Sequence, residues 1–247
     1  MNKLALKQLW ARKRRAIGAA IAVIIGVAFL TATMSLGTAM TQGIEALFTE
    51  GYSGTDVQVA SAHEIDGEDL QTVPIPAGLV DDLGALPEVA QALPVVEGTA
   101  QAVGADGKGV GGSGPPTIGA NWIDHDRNPF VLLDGRSPQT AGEVVIDSWI
   151  ADEGDLQVGD ATTVRVPEPV DVTVVGIAEF ASGSQMGGVT YTWFDTATAQ
   201  DLLMGSPDRI TAVDLQAAPG VSPEALRDAV EPVLPADTQA STNAELT

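Results

Sequence analysis

The sequence predicts an α+β protein: an N-terminal transmembrane helix, then a small α/β domain interrupted by a β-rich insertion. Three observations carry this reading. Residues 16–44 contain no charged side chain and directly follow the six cations Lys3, Lys7, Arg12, Lys13, Arg14 and Arg15. At both ends of the remaining chain, alternating apolar residues give way to apolar stripes of helical period. Between those ends come short β-type runs punctuated by Gly, Pro and Asp.

The first fifteen residues read as a cytoplasmic basic amphipathic helix, with Leu4, Leu6, Leu9 and Trp10 among the cations. Such a segment lies at the membrane interface with Trp10 at headgroup depth. From Ala16 to about Leu36 a helix would span roughly 30 Å, one hydrocarbon core. The basic cluster stays cytoplasmic, so the bulk of the chain is expected outside the cell membrane as a single-pass protein. The helix is expected to run outward past Ile44, Leu47 and Phe48 until Gly51 and Gly54 stop it. A cleavable signal peptide shares the basic start, and Ala28, Ala32 and Ala39 leave cleavage open, but the uncharged run is longer than a signal core. Arg14-Arg15 alone is weak support for a twin-arginine signal. The favoured reading is an uncleaved anchor.

Outside, Asp56-Val57-Gln58-Val59-Ala60 alternates as a half-buried strand does. Pro76 is expected to open a helix with Leu79, Val80, Leu83 and Leu86 on one face, ended by Pro87. A second strand covers Val89 to Val96, which completes a β-α-β unit. In the centre, Glu143–Ile146, Thr162–Val166, Val172–Ile177 and Val189–Phe194 read as strands. Asp195 is placed to cap a short helix through Met204. Ala212–Gln216 alternates, and Ser222-Pro223 starts a last helix carrying Leu226, Val230, Val233 and Leu234. The expected division is residues 50–100 with 205–247 for the α/β part and 101–204 for the β-rich insertion.

Beyond the anchor, 33 acidic residues face six basic ones, a net charge near −27. Such a surface repels nucleic acid and anionic lipid headgroups, so the exterior is expected to bind no nucleic acid. With no cysteine, the chain has no disulfide, thiolate metal site or cysteine nucleophile.

The motifs that invite chemistry fail on inspection. Gly109-Val110-Gly111-Gly112-Ser113-Gly114 fits G-x-G-x-x-G, but Pro115-Pro116 follows where a phosphate-binding helix should begin. Lys108 is followed by Gly109 rather than Ser or Thr, which excludes a Walker A loop. Residues 104–114 therefore read as a mobile connecting loop. Asp124-His125-Asp126-Arg127-Asn128 resembles half a calcium loop, but Pro129 replaces the turning glycine and Gly135 the bidentate glutamate. His63 and His125 are the only histidines, too few for a zinc site or a convincing triad. The sequence thus assigns no catalytic, cofactor or metal residue and predicts a non-enzyme. Trp122, Trp149, Trp193 and Tyr191 are the main aromatics of the exterior; Val189, Tyr191 and Trp193 share one strand face and are assigned to a core, with a ligand or partner surface as the alternative.

A resemblance gathers these pieces. Leu4-Ala5-Leu6-Lys7-Gln8-Leu9 with Arg12–Arg15 is similar to the basic helix before the first span of MacB/FtsX-type ABC transporter permeases. Leu86-Pro87-Glu88-Val89 resembles the turn before that family's second strand. Asp134–Pro138, Gly142–Ile146 and Val158-Gly159-Asp160 form the most family-like run and lead into Val172-Thr173-Val174-Val175-Gly176-Ile177. Ala199–Leu203 and Pro219-Gly220-Val221 also fit. The resemblance implies the first transmembrane helix plus periplasmic core domain, with a porter-like α/β subdomain and a sabre-like insertion. It implies the lipid bilayer, a cytoplasmic ABC ATPase and a second permease copy or half as partners. The function it implies is the non-catalytic anchored domain of an export or mechanotransmission permease. The chain ends at Glu245-Leu246-Thr247, about where the family's second span would begin, so on this reading it does not form a complete permease alone. The alternative is a stand-alone membrane-anchored binding or adhesion module.

Overall fold

The computed structural model describes residues 17, 23–31, 33–34, 54–63, 73–181, 183 and 188–246. The chain divides into two units, Met1–Ala46 and Leu47–Thr247. In the first, residues 23–31 are helical, as are 17, 33 and 34. The hydroxyls of Thr31 and Thr33 donate to the carbonyls of Val27 and Phe29, both at 2.9 Å, so these polar side chains satisfy themselves on the preceding turn. Val23, Ile24, Ile25, Val27, Phe29 and Leu30 are all exposed. Successive helical residues point about 100° apart, so this run is apolar all round. Among the described residues no helix is long and apolar enough to cross a membrane. The expected basic segment 1–15, the rest of the expected span and its extension through Phe48 to Gly51 lie outside the described residues.

The second unit is built around two larger sheets. The first has four strands in the order β14-β1-β13-β3: Thr238–Thr242 (β14), Val57–Ser61 (β1), Ala212–Ala217 (β13) and Val89–Val95 (β3). Every neighbouring pair is antiparallel. Helix α1 (Leu79–Gly84) links β1 to β3, and helix α4 (Pro223–Val230) links β13 to β14. The expected β-α-β unit is therefore split: β13 lies between its two strands and bonds to both. Val57, Val59, Val213 and Leu215 pack with Leu79, Leu83, Leu226 and Val230 in one core. Each such fully buried side chain contributes roughly 1.5–3 kcal/mol.

Two helix boundaries differ from the sequence reading. Pro76 does not open a helix; with Ile75 it forms a short strand (β2) against Arg209–Ile210 (β12). Proline lacks a backbone donor, and a two-residue edge tolerates that loss as well as a first helical turn does. Ser222 caps α4 as expected, its hydroxyl accepting from Ala225 N at 3.2 Å. After Val230, however, the chain tightens into a 3-10 turn, Glu231–Val233, containing Pro232. That tightening turns Val233 outward, leaving it 53% exposed.

The second sheet takes Glu97–Thr99 (β4), Gln101–Ala102 (β5), Thr117–Asn121 (β6), Phe130–Gly135 (β7), Glu143–Asp147 (β8), Ala161–Arg165 (β9), Pro169–Phe180 (β10) and Thr190–Phe194 (β11). Its order is β4-β6-β11-β8-β10-β9-β5, with β7 paired to the far half of β10. β4 and β5 sit at opposite ends of that path but are one extended segment interrupted only by Ala100. The sheet therefore closes on itself as a small barrel. Val144, Ile146, Val164, Val174 and Phe194 join the same core cluster as Ala100 and Ala102. Val145 and Trp193, on the opposite faces of β8 and β11, enter a second cluster with Ala120, Trp122 and Ala178. Strand β8 is thus buried on both faces, which accounts for its unbroken Val144-Val145-Ile146 run.

Capping fixes the helices of this region. Asp147 Oδ1 accepts from Ile150 N at 2.8 Å to start α2 (Ser148–Gly154). Asp195 Oδ1 accepts from Thr198 N at 3.1 Å to start α3 (Thr196–Ala199), which widens into a π-helical turn, Gln200–Met204. The glycine-rich loop proves pinned rather than mobile. Val110 N donates to Ala102 O and Gly104 N to Lys108 O, each at 2.8 Å, and Gln101 Nε2 donates to Gly111 O at 2.9 Å. Burying Val110 is what anchors it.

Candidate binding cleft

The period of two on β1 and β13 decides where their polar residues go. With Val57, Val59, Val213 and Leu215 facing the helices, Gln58, Asp214 and Gln216 must face the other way. Gln58 and Asp214 are direct cross-strand partners, and Gln58 Nε2 donates to Asp214 Oδ1 at 2.9 Å. Thr55 Oγ1 donates to Asp214 Oδ2 at 2.8 Å. This polar face meets the turn after β6, residues 124–128, and the second aromatic cluster. Between them lies a cleft of about 100 Å³ whose lining includes Glu97, Asn121, His125, Tyr191, Trp193 and Asp214.

Ion pairing and close backbone approach hold the turn in place. Arg127 Nη1 and Nη2 donate to the two Asp56 oxygens at 2.8 and 3.0 Å, a bidentate pair at the start of β1. Ala217 N also donates to Asp56 Oδ2 at 2.8 Å, so one carboxylate ties β13 to the turn. The Arg127 hydrogen bonds, foremost, hold the Asp56 carboxyl below its usual range. Gly54 sits beneath this turn, where a Cβ would lie only 2.3 Å from the Arg127 carbonyl oxygen. Gln216 Nε2 lies 3.2 Å from His125 Nδ1. Burial, and next the Arg127 charge, push His125 below the ordinary histidine range, so it is neutral at pH 7.

Asn121 organises the place where the chain passes between the sheets. Its Oδ1 accepts from Val96 N at 2.8 Å, and its Nδ2 donates to Pro94 O at 2.8 Å and Thr196 Oγ1 at 3.2 Å. Beside it, Thr211 Oγ1 donates to Val95 O at 2.8 Å and accepts from Glu97 N at 3.1 Å. Two side chains thus add hydrogen-bond partners to the backbone where the chain passes from one sheet to the other.

The aromatic wall is a continuous stack. Tyr191 and Trp193 rings are parallel at 5.3 Å, Trp193 meets Trp122 edge-on at 5.6 Å, and Phe130 lies 4.7 Å from Trp193. Two carboxylates stand in the cleft. Desolvation raises Asp214 above its usual range against the opposing hydrogen bonds of Gln58 and Thr55. Desolvation by the cleft walls, and then the Asp214 charge, raise Glu97 as well. The outer side of Glu97 is exposed to water, which limits that rise.

Of the residues singled out in the sequence, His125, Trp122, Tyr191 and Trp193 converge here. Tyr191 and Trp193 share a face as expected, while Val189 precedes the strand. Trp149 is half-buried at the edge of the other core, and His63 is exposed. The turn 124–128 is a polar turn: Asn128 Nδ2 donates to Ile123 O at 2.9 Å, and Trp122 Nε1 donates to Asp124 Oδ1 at 2.6 Å. The sequence reading missed Glu97, Asn121 and Asp214. Only the alternation around Asp214 hinted at an outward carboxylate; nothing local marked its meeting with Glu97.

Three comparisons bear on what this chain is. The model of the MacB-like periplasmic core domain matches residues 16–233. The periplasmic region of MacB from Actinobacillus actinomycetemcomitans is similar in structure, with a TM-score of 0.54 and 12% identity over 80% of this chain and 94% of that one. The extracellular domain of the ABC-type transporter YknZ from Gram-positive bacteria aligns at a TM-score of 0.48 and 13% identity, over 75% of this chain and 99% of that one. No curated protein matches the chain. With a family match across most of its length, the chain belongs to the family of MacB-like periplasmic core domains.

Proposed function

We propose that this chain is the anchored extracytoplasmic domain of an ABC-type export or mechanotransmission permease, non-catalytic and driven by a separate cytoplasmic ATPase. The observation that carries this is the extent of the family match, which begins at residue 16, at the head of the uncharged run, and continues to residue 233. The exposed, all-round apolar surface of residues 23–31 supports the membrane role of that run. In this reading residues 16–44 are the span and its outward extension, and residues 1–15 remain cytoplasmic. Residues 50–100 and 205–247 form a porter-like subdomain around the four-stranded sheet, and 101–204 form the sabre-like insertion around the barrel, which also takes β4 (Glu97–Thr99) from the end of the first segment. Work would pass through the hydrogen-bonded crossing at Asn121 and Thr211 and through the Asp56–Arg127 tie.

Topology and partnership test this separately. The native chain lacks cysteine, so Asn2→Cys and Gln239→Cys report single sites. A membrane-impermeant maleimide should label Gln239→Cys on intact cells and reach Asn2→Cys only after permeabilisation. Equal labelling of both without permeabilisation would sink the orientation. Purification from native membranes in mild detergent should recover an ATPase subunit. Repeated recovery of the chain alone, with no ATPase, would turn the reading toward a stand-alone binding module.

A further inference from the structure

We propose that the cleft between the four-stranded sheet and the aromatic wall binds an organic cation, an ammonium or guanidinium head on a short apolar stem. This inference is independent of the export reading. Glu97 and Asp214, from strands of different sheets, bring two carboxylates to one cleft. Among the described residues neither forms an ion pair with Lys or Arg. Asp214 is held only by the neutral donors of Thr55 and Gln58, and the nearby Arg127 is turned to Asp56. Once ionised, Glu97 therefore brings negative charge into the cleft that no Lys or Arg among the described residues offsets, and a bound cation would favour that ionised form. Across the cleft stand the half-buried rings of Tyr191 and Phe130, whose electron-rich faces attract a cation at close range; Trp193 backs them and is only 2% exposed. A volume of about 100 Å³, near that of three waters, suits a head group with part of its stem. Among the described residues no group of three or more His, Cys, Asp or Glu side chains is placed to hold a metal ion.

The test titrates the full chain in mild detergent with n-butylammonium, a short lysine-containing peptide and uncharged 1-butanol, at about 0.15 M salt to screen the general negative surface. Tryptophan fluorescence, reporting on Trp122 and Trp193, should saturate with the first two and not with the alcohol. Equal affinity for amine and peptide assigns a free amine, and at least tenfold tighter peptide binding assigns a partner's lysine side chain. Glu97→Gln should weaken binding about tenfold, or about 1.4 kcal/mol, and Asp214→Asn should do likewise. Asp152→Asn, on the exposed face of α2, should change nothing. Asp214 from β13 and His125 from the 124–128 turn line the same cleft as Glu97, and His125 stays neutral near pH 7. Burial raises the Glu97 carboxyl, so binding should strengthen as pH rises and that carboxyl ionises. Glu97 makes no hydrogen bond with its side chain among the described residues, so Glu97→Gln is expected to fold normally. Saturation by 1-butanol as well, or unchanged cation binding in Glu97→Gln, overturns the proposal.

Discussion

Replacing Asn121 with alanine should cost about 3 kcal/mol of stability without touching either hydrophobic core. The side chain makes three hydrogen bonds, two of them to backbone groups at the β3–β4 crossing. Val96 is fully buried, and its amide would be left facing an apolar gap. An orphaned buried donor costs about 1–3 kcal/mol, and the lost bond to Pro94 O adds about 1. The Thr196 hydroxyl can rotate toward another acceptor, so its bond adds little. In a domain near 200 residues, about 3 kcal/mol corresponds to a Tm lower by roughly 6–12 °C. That is a large share of a total stability of about 5–15 kcal/mol. Thermal unfolding followed by near-ultraviolet circular dichroism checks it, since Trp122 and Trp193 lie next to the crossing. A drop of less than about 2 °C would refute the reasoning, because the Val96 amide would then have an alternative partner. Asn121→Asp should not rescue fully: it keeps an acceptor for Val96 N but sets a carboxylate against the Pro94 carbonyl.

Other perturbations follow the same logic. Burial pushes the Asp147 carboxyl up to about 6, so the folded state holds its proton more tightly than the unfolded chain. Its stabilising contribution is full below about pH 4 and is lost as pH rises through about 6, a change of roughly 2–3 kcal/mol; Tm measured against Asp147→Asn across that window should converge at low pH. Gly135 has φ +76° and a Cβ there would lie 2.2 Å from Val175 O, so Gly135→Ala should cost about 3 kcal/mol or more, read by urea unfolding. Arg127→Ala should cost only about 1 kcal/mol, because the pair is partly exposed, yet should raise amide exchange selectively in residues 123–128. Residues 50–247 alone should fold cooperatively without detergent and remain dispersed; aggregation of that fragment would place Leu47 and Phe48 inside its core.

Some of the cleft was visible before the fold was. Tyr191 and Trp193 share a face because a strand's side chains alternate, and Asp195 and Ser222 cap because their oxygens reach an amide three residues on. These are local rules, and the residues obeying them could be named from a few neighbours. Glu97 and Asp214 obey no local rule that marks them: each is one more acid in a chain of 33. They become notable only because β4 and β13 come together at the crossing between the sheets.

The sequence alone determined the apolar N-terminal run, the charge balance, and each strand or helix whose apolar period is clean, such as Val57–Ser61, Ala212–Ala217 and Pro223–Val230. Tertiary structure decided what had no periodic signal of its own. Thr117–Asn121 and Thr238–Thr242 are strands because neighbours supply their hydrogen bonds, not because their small and polar side chains favour it. The position of β13 between β1 and β3, the closure of the barrel through Ala100, and the pairing of Glu97 with Asp214 join residues far apart in the chain. Such contacts are set by the entropy of long loops and the fit of whole surfaces, and a window of neighbouring residues contains neither.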